Sequence, residues 1–203
     1  GAVLAAQTVE EILVEKGKAV GVRCHNTIKP HLPPHEFRAP LIISGAGADV
    51  TYNTLLPASV PIPFRNELLQ QSNGISAVCV YLGLKDSPAR LGVQGENHWV
   101  YSGYDHDAAL ASGEIGAGYY LSFPSLKNPE AKGHTADIIT FAPYDLFRQW
   151  EGGTWKKRGD DYEALKQRIA DQLIAQVNQR LPGFADLVAY VDVSTPLSMR
   201  HFV

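Results

Sequence analysis

Between Gly159 and Pro182 the apolar residues Tyr162, Leu165, Ile169, Leu173, Val177 and Leu181 recur at three- and four-residue spacing. That is the period of one helix face, so a helix is expected over 160–181. Asp160 with Glu163 three residues later resembles a capping box, a carboxylate replacing the usual hydroxyl. Pro182-Gly183 ends the pattern. A stripe of this length must be covered by another apolar surface. The sequence offers one kind of surface for that purpose. Residues 75–84, 98–103, 118–123, 134–141 and 187–193 all read as strands. Most of their connections are too short for crossover helices, which argues for a largely antiparallel sheet. The expected class is therefore α+β, a sheet packed under one long amphipathic helix.

The N-terminal part has a different texture. Val9, Ile12 and Val14 lie in a β-branched run, Lys16-Gly17 supplies a turn, and residues 19–24 alternate again. This predicts a hairpin. Pro30, Pro33 and Pro34 mark residues 25–37 as a loop. A third strand is expected over 38–44, with Leu41, Ile42 and Ile43 suited to burial on both faces. Prolines 57, 61 and 63 cannot continue a helix, so the expected division is a unit over 1–58 and a larger one over 59–203.

Composition narrows the function classes. The 203 residues are 45% hydrophobic and 19% charged, as for an ordinary globular protein. Net charge is −3 and the pI about 6.2, with no basic stripe for nucleic acid. The short run Lys156-Lys157-Arg158 is followed by Asp160 and Asp161 and reads as a solvated loop. Cys24 and Cys79 stand apart in apolar runs, without a disulfide pattern, so a reducing, cytoplasmic setting is expected. No apolar run reaches the roughly 18 residues that a membrane-crossing helix needs. The first residues are already in mid-pattern and the last ten, STPLSMRHFV, carry no terminator. The chain is accordingly expected to be the central part of a longer one.

Several short patterns bear on chemistry. Gly45-Ala46-Gly47 follows an apolar run and precedes a helix-like segment, as in a dinucleotide fingerprint, but Val50 occupies the place of the third glycine. Glu67, twenty residues past Gly47, lies beyond a proline loop rather than at the end of a second strand. A structural strand-to-helix turn and a secondary phosphate contact both remain open for it. His25, His31 and His35 with Glu36 fall on an extended loop, where a four-residue spacing does not gather ligands, so no metal site is expected. The run Tyr104-Asp105-His106-Asp107 reads as a surface turn or helix start before an acid–base site. Aromatic residues crowd the sheet half. Alternation puts Trp99 and Tyr101 on one face, and Tyr119 on one face with Leu121. With Phe123 they are either core packing or the wall of an apolar small-molecule pocket.

The order of elements carries a resemblance. VEEILVEKGKAVGVRC, APLIISGAG and ADVTYNTLLP, then SFPSLKNPEAKGHTADIITFAPYDLFRQW, GDDYEALKQRIADQLIAQVNQRLPG and STPLS, resemble the middle of the FAD-dependent phytoene desaturase and retinol saturase-like oxidoreductases. The resemblance implies a two-domain flavoprotein whose main flavin-binding segments lie outside this stretch. It implies that Val9, on the hairpin strand, contacts the adenine through its backbone, and that Gly45, Ala46 and Gly47 return beside the cofactor. Residues from about 73 to 193 would form the substrate domain, taking a hydrophobic isoprenoid or polyene-like molecule. Trp99, Tyr101, Tyr119 and Phe123 are the pocket candidates. No catalytic acid or base is implied for this stretch, which alone would be inactive and would not retain FAD. Peripheral membrane contact of the whole protein is compatible with such a substrate. An amine-oxidase-like flavoprotein and a non-catalytic lipophile-binding module are the rival readings.

Overall fold

The computed structural model describes residues 1–71 and 75–202. The chain forms two compact units, Gly1–Asn73 and Gly74–Val203.

In the first unit, β1 (Gln7–Glu15), β2 (Lys18–Asn26) and β3 (His35–Arg38) form an antiparallel sheet in the order β1-β2-β3. Lys16 and Gly17 both take positive φ, 50° and 75°. That pair of conformations gives a two-residue turn with the twist a hairpin requires. Ile12, Leu13 and Cys24 are buried. Arg23 pairs with Glu11 and Glu36, and Arg38 with Glu15 and Glu36, so charges lace the sheet's exposed side. Residues from Ala48 to Leu55 are helical, with the turn widened over Val50–Leu55 so that the Leu56 N–H donates to the Thr51 carbonyl at 3.0 Å. Pro57 follows, and α1 (Arg65–Gln71) closes the described part of the unit.

The third strand differs from expectation. It lies three residues earlier, inside the segment read as loop, and residues 39–45 take no regular structure. Leu41 and Ile43 are 72% and 86% exposed. The cause is Pro40. The Ala39 N–H donates to the Val20 carbonyl at 3.1 Å, as in the ladder, and the next residue has no N–H to give. The four residues before this point pair with β2 because Gly21 admits the returning backbone. A Cβ there would stand 2.4 Å from the Phe37 carbonyl oxygen.

The second unit is a five-stranded sheet in the order β5-β6-β7-β4-β8, with every pair antiparallel. Its strands are β4 (Ile75–Leu84), β5 (His98–Tyr101), β6 (Gly118–Ser122), β7 (His134–Pro143) and β8 (Val188–Ser194). The strands read from the sequence are all present, within a few residues at their ends. The helices are α2 (His106–Ala111), α3 (Pro124–Lys127), α4 (Asp160–Arg180), α5 (Phe184–Leu187) and α6 (Pro196–Phe202).

The apolar stripe of α4 is buried through Tyr162, Ile169, Ala170, Leu173 and Val177. It shares a core with Val78, Val80 and Leu82 of β4, Ala136 and Ile138 of β7 and Leu121 of β6. The tyrosine hydroxyl of Tyr162 and that of Thr195 lie 2.6 Å apart inside this core. The start of α4 is not the expected capping box. Gly159 occupies the cap position, with φ of 99° and no side chain to accept a bond. Asp160 is already helical, and with Asp161 and Glu163 it acts on the positive end of the helix dipole. Asp161 instead accepts a hydrogen bond from the Trp150 indole at 2.9 Å.

Candidate functional site

Alternation along a strand means that covering one face with α4 leaves the other to different partners. On β5 that second face carries Trp99 and Tyr101, on β6 Tyr120, and on β7 Ile139 and Phe141. Register brings these side chains together: Trp99 is opposite Tyr120, and Tyr120 is opposite Ile139. The Trp99 and Tyr120 rings lie 4.8 Å apart, centroid to centroid. Trp99 is 62% and Phe141 54% exposed. A contiguous aromatic surface of this kind on an open sheet face marks a ligand or interaction site. It forms a shallow trough of about 340 Å³. The trough runs on past Tyr101 and Phe141 into a cleft of about 230 Å³ beside α2, lined by His106, Ala109, Gly113 and Pro143.

The opposite end of the trough is polar. Asn97, which precedes β5, lines it; Ser122 at the end of β6 and Asp137, opposite it on β7, lie beyond the trough's lining, and Asp137 borders a separate hollow with Tyr81, Gly83 and Tyr190. Lys127, at the end of α3, donates from its ammonium to the Asn97 side-chain oxygen and to the Ser122 hydroxyl, the latter at 2.8 Å. Burial pushes the Asp137 carboxyl above the ordinary carboxylate range, and the nearby Lys127 charge partly offsets this. On β4, Tyr81 sits between Asp137 and Asp192 of the flanking strands. Burial raises its phenol first, and Cys79 and both carboxylates add to the rise. Burial likewise raises the Cys79 thiol, so it is no ready nucleophile.

The pocket candidates read from the sequence separate onto the two faces. Trp99 and Tyr101 face the trough, whereas Phe123 is buried in the core with Leu121, as is Tyr119, which also borders the trough. Tyr119 is held neutral by burial, with the Arg180 charge acting against it. Tyr120, Ile139 and Phe141 complete the trough. Individual strands do not reveal them, because only the register of β5, β6 and β7 places them beside Trp99.

In the first unit, Gly45 and Gly47 line an open hollow of about 490 Å³ with Ile12, Ala19, Ile42, Ser44, Thr51 and Tyr52. Gly47 has φ of 81°, and nothing lies within 4 Å of a Cβ built on either glycine. The Ser44 and Thr51 hydroxyls are 2.7 Å apart across the turn. The Ala46 N–H points to Ser44 at 3.4 Å. Small residues, hydroxyls and bare backbone fit a close approach by a phosphate or a ring edge. Among the described residues no cation lines the hollow. Val9 does not line this hollow; it lies on β1, an edge strand of its sheet.

Among the described residues no group of His, Cys, Asp and Glu is arranged to hold a metal ion. No helix among them is long and apolar enough to cross a membrane.

No protein-family model matches the sequence. The chain is 29% identical over 220 aligned residues to an all-trans-retinol 13,14-reductase of Danio rerio, covering 100% of this chain and 36% of that protein. It is 26% identical to the Homo sapiens all-trans-retinol 13,14-reductase, covering 100% and 35%. It is 27% identical to the chloroplastic prolycopene isomerase of Daucus carota, covering 96% and 29%. The chain thus spans about a third of the length of the curated relatives it matches. Among solved structures, a flavin-dependent brominase aligns with 71% of this chain at 12% identity and a TM-score of 0.34, too loosely to bear on the fold. The family resemblance read from the residues is met by these relatives: the chain is similar to the retinol 13,14-reductases over its whole length and to the prolycopene isomerases over 96% of it.

Proposed function

We propose that this chain is the central part of a flavin-dependent oxidoreductase acting on a retinoid or carotenoid-like substrate, and that its second unit binds that substrate. The trough on the open face of the sheet is the observation that carries the reading. Trp99, Tyr101, Tyr120, Ile139 and Phe141 give a long apolar surface that ends beside α2. A polyene is rigid, extended and apolar, so it gains most from such a wall and little from charged groups. The relatives named for retinol and prolycopene are consistent with that substrate class.

FAD would supply the hydride chemistry when bound. The first unit contributes backbone at Gly45 to Gly47 and the edge of β1 at Val9. The substrate unit orients the polyene and keeps water from its buried side. The chain by itself is inactive in this reading, and its place is cytoplasmic, in contact with a lipophilic substrate rather than nucleic acid.

The test uses the full-length protein. It should purify with, or take up, flavin and show yellow absorbance, and it should turn over a polyene and not an amine. Phe141→Asp should raise KM for the polyene at least tenfold and leave flavin absorbance unchanged. Full-length protein that takes up no flavin would overturn the enzyme reading in favour of a lipophile-binding module.

A further inference from the structure

At the other edge of the larger sheet, beside β8, the run Lys156-Lys157-Arg158 is more than a solvated loop. The Lys157 N–H donates to the Thr154 carbonyl at 2.9 Å, which closes a four-residue turn. Lys156, the third residue of that turn, has φ of 62°. A turn with positive φ at this position ordinarily takes glycine or asparagine. A lysine held there is backbone strain of the kind that collects at ligand sites. The turn brings Lys156 and Arg158 to a hollow of about 320 Å³, which Lys157 does not line.

Three cations line this hollow, Lys156 and Arg158 from the turn and Lys166 from α4. The Lys156 ammonium stands 4.6 Å over the Trp155 ring. The Arg158 guanidinium and the Lys166 ammonium lie 5.4 and 5.8 Å from the centre of the Tyr162 ring, so two like charges are held against one aromatic. Two carboxylates also line the hollow, and both are engaged. Glu163 pairs with Lys166 at 3.0 Å, and an Asp192 oxygen accepts the Val193 N–H at 2.8 Å. Among the described residues neither Lys156 nor Arg158 has a carboxylate partner. Arg158 donates to the Leu197 carbonyl at 3.3 Å, while its Nε is shut off from solvent with no partner. A buried donor left unmatched is costly, and a bound ion is one of the few things that account for it.

We propose that this hollow binds a phosphate group, with Arg158 and Lys156 as its main donors and the Ser194 and Ser198 hydroxyls beside them. A guanidinium presents its donors as a planar fork that fits two phosphate oxygens, and a lysine adds a point charge. Ser198 accepts the Thr195 N–H at 3.2 Å, which leaves its own proton to donate. A tetrahedral phosphate has oxygens for donors arriving from several directions, whereas a planar carboxylate has two. Three cations against two carboxylates leave a surplus of one positive charge for the phosphate to neutralise. The Trp155 and Phe202 rings, 5.1 Å apart and both partly exposed, give an apolar wall to whatever carries the phosphate. A lipid headgroup and a soluble phosphate compound share this chemistry. The site lies at the edge of the sheet and is independent of the reading of the trough.

The test uses the full-length protein and its Lys156→Gly, Arg158→Met and Lys157→Ala variants. Calorimetric titration follows inorganic phosphate and acetate at fixed ionic strength. Sedimentation follows binding to phosphatidylcholine vesicles with and without phosphatidic acid. Glycine suits the positive φ, so Lys156→Gly should melt no lower than wild type and decides the matter if Arg158→Met fails to fold. Each of these two should weaken phosphate binding by about tenfold or more. Lys157→Ala removes an equal charge outside the hollow and should change binding less than about twofold. Acetate should bind about tenfold more weakly than phosphate. Saturable uptake of free phosphate, lost in Lys156→Gly, supports the site with a soluble ligand. Binding only to vesicles that contain phosphatidic acid, lost in the same variant, supports it with a lipid headgroup. Equal losses in all three variants would reduce the site to diffuse surface charge, and acetate binding as tightly as phosphate would remove the phosphate assignment. Binding unchanged by Lys156→Gly, or no uptake of phosphate in either form, overturns the proposal.

Discussion

Gly21 is the residue on which the small sheet depends. Its missing side chain is what lets the Phe37 carbonyl approach, at 2.4 Å from where a Cβ would stand. Gly21→Val should therefore part β3 from β2, at a cost on the order of 1–3 kcal/mol. Hydrogen exchange would report it first at the Ala39 N–H, which bonds to the Val20 carbonyl. In the core of the larger unit, Tyr162 and Thr195 share a hydroxyl–hydroxyl bond at 2.6 Å. Tyr162→Phe removes one partner from a buried pair, and chemical denaturation should show a loss of about 1–3 kcal/mol. Asp137 gives a pH signature. Its carboxyl is raised in the fold by burial, so the folded state holds the proton more tightly than the unfolded chain. Its contribution is most favourable at low pH and is lost as pH rises through the folded value. Asp137→Asn should remove that decline, raising stability at neutral pH relative to wild type while changing little in acid. A stability-versus-pH curve unchanged by the substitution would show that the carboxyl is solvated.

At the scale of elements, periodicity was a good guide wherever one face is buried. The stripe of α4 is a consequence of its sheet, and Leu173, wholly buried, sits at its middle. Leu173→Ala should cost about 2–5 kcal/mol in urea unfolding, and Leu165→Ala, only partly buried, clearly less. The strands of the second unit were legible for the same reason, because each alternates between a core face and an open one. Leu41, Ile42 and Ile43 show where the reasoning stops. An apolar run describes what a segment could bury, while a strand also needs a neighbour and a supply of N–H groups. Pro40 ends the ladder just before the run begins. The capping box failed on a smaller point: Asp160 and Glu163 have the right spacing, but Gly159 occupies the cap. Spacing alone cannot say which residue leaves the helical conformation first.

For the whole molecule, the two units carry different kinds of evidence. The second contains a complete core and the trough. The first contains a small sheet, exposed apolar residues at 41 and 43, and a glycine turn with no cation beside it among the described residues. If the main flavin-binding residues lie elsewhere in the full protein, residues 1–203 expressed alone should fold in the second unit and bind no flavin. Titrating FAD into that piece, with the full-length protein beside it, measures this directly. Stoichiometric uptake by the piece would mean that the glycine turn is a primary site after all.

The sequence by itself determined the class of fold, the long helix, the strands of the larger sheet and the family resemblance. These follow from local periodicity and from the order of elements, both written along the chain. Only the tertiary structure decided which aromatics form a surface. Trp99 and Tyr101 join Tyr120, Ile139 and Phe141, while Tyr119 and Phe123 turn into the core. It also decided that the Lys127 ammonium bonds to Asn97, which borders that surface, and to Ser122. The reason is physical: alternation fixes the two faces of one strand, but which residues of different strands meet depends on register, and register is set by the whole sheet.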